Sequence, residues 1–138
     1  MDNHTILVAD SDLTVAACMA EALASQGYTV HCHNSGHLTT DAVAQLRPDV
    51  VIIDEWRFQA DIPPLLEQLR RCDRTRSVAV IISSTDWQVL DALAEPLHAH
   101  GCATLLKPFE LDQLFTQVAG ALGEGLQLAA SGMEQRYA

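Results

Sequence analysis

Short runs of branched apolar residues alternate along this chain with stretches whose apolar positions recur every three to four residues. Pro48-Asp49-Val50-Val51-Ile52-Ile53-Asp54 contains four consecutive branched apolar side chains. A strand covered by helices on both faces needs this pattern, because neither face tolerates a polar group. Ile6-Leu7-Val8-Ala9 and Val78-Ala79-Val80-Ile81-Ile82 read as further buried strands, and Gly101 is expected to start a fifth through Ala103-Thr104-Leu105-Leu106. Tyr28 to His33 alternates and is rich in β-formers, as expected near a sheet edge.

Between these runs the spacing is helical. Leu13 to Gln26 puts Val15, Cys18, Met19, Ala22 and Leu23 on one face, with Asp12 as N-cap and Gly27 as stop. Asn34-Ser35-Gly36 turns the chain, and a short helix from His37 or Thr39 to Leu46 is stopped by Arg47-Pro48. Glu55 to Asp61 reads as a loop, and Pro63-Pro64 suits the first turn of a helix running to Arg71. Thr85 or Asp86 caps a stripe of Trp87, Leu90, Leu93, Ala94 and Leu97, which Pro96 should kink or end early. Glu110 to Leu122 forms the last helix, with Leu111, Leu114, Phe115, Val118 and Leu122 inward. Five β-α units predict an α/β fold: a five-stranded parallel sheet with right-handed crossovers and helices on both faces.

The 138 residues suit one domain, over 4–122, with 123–138 as a weakly periodic tail expected to fray. No output domain is expected to follow. The formal charge of −10, from 18 acidic and 8 basic residues, argues against nucleic acid and anionic membrane as partners. No apolar run approaches the ~20 residues of a membrane span, and no leader is evident, so a cytoplasmic location is expected. Cys18, Cys32, Cys72 and Cys102 are too scattered for a zinc knuckle or disulfide framework and read as reduced thiols. His31, Cys32, His33 and His37 resemble a metal set, but alternation turns Cys32 to the face opposite His31 and His33.

The chemistry gathers where the strands end. Parallel strands would bring Asp10 and Asp12, Asp54, Ser83-Ser84 and Lys107-Pro108 to one edge, where open α/β sheets bind ligands. Three converging carboxylates repel one another, and a hard divalent cation such as Mg2+ relieves that repulsion. A carboxylate flanked by a lysine, a hydroxyl and Mg2+ has what phosphoryl transfer onto it requires, with Asp54 as nucleophile.

Ile6-Leu7-Val8-Ala9-Asp10, Asp54 after its apolar strand, Ser83, and Lys107-Pro108-Phe109 together resemble the receiver domain of bacterial response regulators. The resemblance covers residues 4–122 and implies a flavodoxin-like strand order 2-1-3-4-5. It implies that Asp54 accepts a phosphoryl group from a histidine kinase or phosphotransfer protein, and that a downstream protein reads the result; homodimer formation is left open. It further implies that Asp10, Asp54 and the backbone carbonyl of Trp56 hold Mg2+. Lys107, after a cis bond to Pro108, would pair with the phosphoryl oxygens, and Ser83 or, failing it, Ser84 would hydrogen-bond them.

Several positions depart from the family pattern. Ser11 stands where a second acid usually ligates the metal, leaving Asp12 as the residue that could replace it. Phe58 occupies a usual proline position, the loop after Asp54 lacks its usual glycine, and Thr104 replaces a common aromatic switch residue. A second reading follows: a degenerate receiver acting as a phosphorylation-independent interaction module. In a third, Asp10-Ser11-Asp12-Leu13-Thr14 resembles the nucleophile motif of haloacid-dehalogenase-type phosphatases, with Asp10 attacking. That reading leaves Asp54 idle and finds no paired acids after Lys107.

Overall fold

The computed structural model describes residues 3–33, 38–54 and 62–123. Five strands, β1 (Thr5–Ala9), β2 (Thr29–His33), β3 (Val50–Asp54), β4 (Ala79–Ser84) and β5 (Ala103–Leu106), form one all-parallel sheet in the order β2-β1-β3-β4-β5. Six helices are described: α1 (Leu13–Ser25), α2 (Thr40–Leu46), α3 (Ile62–Arg71), α4 (Trp87–Ala92), α5 (Ala94–Ala99) and α6 (Leu111–Ala121). Every residue of β3 is buried, so the uninterrupted apolar run marks a central strand.

Alternation along the strands divides the core into two layers. Leu7, Ala9, Val51, Ile53, Val80 and Ile82 meet Val43 of α2, Leu66 and Leu69 of α3 and Leu97 of α5 on one face. Ile6, Val8, Val50, Ile52 and Ile81 meet Met19 and Leu23 of α1 and Leu114 and Val118 of α6 on the other. Fully burying such a side chain contributes about 1.5–3 kcal/mol, so these two layers fix the register that carries the site.

Some expectations need correction. The helix expected after Asp86 is divided at Leu93 into α4 and α5. In one continuous helix Pro96 would remove a backbone donor and collide with the preceding turn; the division places it in the first turn of α5, where a missing N–H is harmless. Trp87, expected on the apolar stripe, is 63% exposed, and α4 has no buried residue. Leu111 is likewise exposed rather than inward, and Cys18 faces solvent. The fifth strand begins at Ala103, with Gly101 in a positive-φ turn before it. The Asn34-Ser35-Gly36 turn, His37, the Glu55–Asp61 loop and the 124–138 portion of the tail lie outside the described residues.

Candidate functional site

Four chain segments bring the site together at the C-terminal edge of the sheet. Asp10 follows β1 and is 2% exposed, and Asp54, the last residue of β3, is also buried. Ser83 in β4 pairs in register with Asp54 and is buried as well. Lys107 follows β5, and its backbone N–H donates to the Ser84 carbonyl at 2.7 Å. The Lys107-Pro108 bond is cis, as expected from the resemblance.

The lysine lies between the two acids. Its Nζ is 2.8 Å from Asp10 Oδ2 and 3.5 Å from Asp54 Oδ1, with only 14% of its side chain exposed. Two buried carboxylates thus share one ammonium, and pairing offsets part of the cost of removing the charges from water. Lys107 is also the only lysine in the chain, a feature visible in the sequence that marks it out from a solvated surface lysine.

Asp12 stands apart. Its Oδ1 accepts from the N–H groups of Thr14 (3.0 Å) and Val15 (3.2 Å), making it the N-cap of α1. Its own N–H donates to Asp10 Oδ1 at 2.9 Å, so Asp12 orients Asp10 through the backbone. The convergence of three carboxylates is therefore corrected: among the described residues no three His, Cys, Asp or Glu side chains group as a metal site. That finding covers His31, Cys32 and His33 too; His37 and the Trp56 carbonyl lie outside the described residues.

The two serines differ in their surroundings. Ser83 Oγ donates to the Ile53 carbonyl at 3.4 Å, a long and weak bond that is readily exchanged. Ser84 Oγ instead accepts from Asp86 N–H at 2.9 Å and donates to the Asp86 carbonyl at 3.2 Å, while Asp86 caps α4 through Gln88 N–H. The buried Ser84 holds the loop after β4, a role with no signal in the sequence beyond its place beside Ser83.

Residues 6–119 match the family model of the response regulator receiver domain. The chain belongs to the response regulator receiver family. This receiver is 30% identical over 119 residues to the regulatory protein AtoC of Escherichia coli, spanning 86% of this chain and 25% of that protein. It is 29% identical to the response regulator MprA of Mycolicibacterium vanbaalenii, spanning 85% of this chain and 49% of that one. The receiver therefore spans half or less of the length of these two relatives. Its fold is that of the Vibrio cholerae chemotaxis protein CheY4, with a TM-score of 0.74 at 18% identity, covering 88% of this chain and all of that one. It is a receiver domain of two-component signalling, a class of generally non-enzymatic modules that typically bind Mg2+ at the phosphorylation site. Among the described residues no helix is long and apolar enough to cross a membrane. With membership established, the phosphatase-like reading of Asp10 to Thr14 falls away.

Proposed function

We propose that this receiver accepts a phosphoryl group on Asp54 from a histidine kinase or phosphotransfer protein and signals through protein–protein contacts, with residues 4–122 as the working unit. The observation that carries this reading is the Lys107 ammonium between Asp10 and Asp54, with Ser83 opposite Asp54 in the sheet. An Asp54 carboxylate oxygen attacks phosphorus, the bond to the donor's leaving group breaks, and the aspartyl phosphate forms. Lys107 then turns from Asp10 toward the new anionic oxygens, and the Ser83 hydroxyl exchanges its long bond to Ile53 for one of them.

The residues present suit Mg2+, which binds through one or two carboxylates and completes its shell with water and phosphate oxygens. Asp10 and Asp54 would hold it, with the Trp56 carbonyl as the third protein ligand that the family resemblance implies. When bound it would neutralise charge on the phosphoryl group and on the two acids. Ser11 supplies no carboxylate, and Asp12 is committed to its cap, so the site is poor in anionic ligands. That shortage favours the second reading, an interaction module that works without phosphorylation.

Incubation with acetyl phosphate, with and without Mg2+, followed by intact mass measurement separates the two readings. Gain of one phosphoryl group by the wild type but not by Asp54→Asn supports the receiver acting as a phosphoacceptor. No gain under either condition supports the interaction module.

A further inference from the structure

At the opposite end of the sheet from Asp54, a cavity of about 420 Å³ opens where the chain enters β3 and β4. Pro48 and Val78 form its apolar floor, and Arg47, Arg74, Asp49, Asp73 and Ser77 stand around it. We propose that this cavity is a second binding site, which takes a small phosphate-bearing ligand between the guanidinium groups of Arg47 and Arg74.

Charge alone does not select these two arginines, because five cluster at this end of the molecule. Arg70 is consumed by the fold, donating to the carbonyls of His100, Arg76 and Val78. Arg71 pairs with Glu67, and Arg76 lies 3.7 Å from Asp73. Arg47 and Arg74, both exposed, have no side-chain partner among the described residues, and both line the cavity. The two acids of the rim are engaged: Asp73 with Arg76, and Asp49 through Oδ2 with the Thr5 N–H at 2.8 Å and His4 at 3.6 Å. The rim therefore offers two uncommitted guanidinium groups and the Ser77 hydroxyl, the donor set that binds phosphate oxygens bidentately. Its volume falls in the range of small-molecule sites.

The backbone supplies an independent observation. Arg47 caps α2 at φ 53° and ψ 54° and is the only non-glycine residue with positive φ among the described residues. Glycine adopts this conformation at no steric cost, whereas a side chain is penalised, and the following proline disfavours it further. A cap alone would be served by glycine; retaining arginine keeps a guanidinium at the cavity rim. The site adjoins the starts of the two strands whose far ends carry Asp54 and Ser83, and in a chain of net charge −10 a dianion has little unspecific attraction.

The test is a titration of the 15N-labelled full chain with inorganic pyrophosphate in the presence of a chelator, read by amide chemical shifts. Saturable shifts are expected at Asp49, Ser77 and Val78, and equally in Asp54→Asn, which separates this site from the phosphoacceptor. Arg47→Gly and Arg74→Gln should each weaken binding by about tenfold or more, the effect of losing a charge-assisted hydrogen bond. Arg47→Gly should also raise thermal stability, so its loss of binding cannot come from unfolding. Wild-type affinity in either variant, shifts without saturation, or shifts confined to the Asp10 and Asp54 end would overturn the proposal.

Discussion

The Lys107 ammonium sits closer to Asp10 (2.8 Å) than to Asp54 (3.5 Å), so the receiver holds its cation nearer the acid after β1 than the one that ends β3. One positive charge faces two buried negative ones. A phosphoryl group on Asp54 adds further negative charge where only a small displacement separates Lys107 from it.

Replacing that cation tests the arrangement without any phosphodonor. Lys107→Met removes the cation that two buried carboxylates share and should lower stability by about 3–5 kcal/mol in urea unfolding with chelator present. Mg2+ should stabilise this variant more than the wild type, since the ion then has no ammonium to compete with. Equal Mg2+ effects on both proteins would mean that Lys107 does not shield the acids.

Ser11→Asp should tighten Mg2+ binding, because it restores a hard anionic ligand beside Asp10 while leaving the Asp12 cap intact. Isothermal titration of wild type and variant reads this directly. Unchanged or weaker binding would show that position 11 points away from the crevice.

The two serines should separate by experiment. Ser83→Ala gives up only a 3.4 Å bond and should cost under about 1 kcal/mol, yet slow phosphorylation by about tenfold through loss of a donor to a charged oxygen. Ser84→Ala strands the Asp86 N–H and should cost about 1–2 kcal/mol, with faster amide exchange in α4. The opposite pattern in paired unfolding and labelling measurements would make Ser84 the hydroxyl that meets the phosphoryl oxygens.

How far the sequence alone led depended on whether one residue type admits one physical use. Val50 to Ile53 could be placed because a branched apolar run has few alternatives to a central strand, and Asp54 and Lys107 followed from where their strands end. Asp12 was ambiguous because capping a helix and binding a metal both call for a carboxylate, and only the geometry shows which donors it meets. Trp87 and Leu111 misled because periodicity locates a helix but does not say whether a large apolar side chain at its first turn is covered. The interruption that Pro96 calls for falls upstream at Leu93, because proline is unfavourable inside a helix but acceptable in its first turn. Nothing in the order Leu46-Arg47-Pro48 announces a left-handed arginine.

The cysteines should differ in reactivity. Burial pushes the Cys102 thiol up, against an opposing effect of Arg70, and burial also pushes Cys32 up. A raised thiol pKa leaves less thiolate at neutral pH, and the fraction grows as pH rises toward it. Mass-resolved alkylation near pH 7 should therefore label exposed Cys18 before Cys102, with the gap narrowing at higher pH. Labelling of Cys102 first would contradict its burial.

The central claim is that Asp54 forms the acyl phosphate, and chemical trapping reads it most directly. Borohydride reduces an aspartyl phosphate to the alcohol, releasing phosphate and turning the aspartate into homoserine, which peptide mass spectrometry locates. After acetyl phosphate and Mg2+, homoserine at position 54 and unmodified Asp10 and Asp12 is the predicted result. Homoserine at position 10, or at neither position while the protein stays folded, would contradict the account.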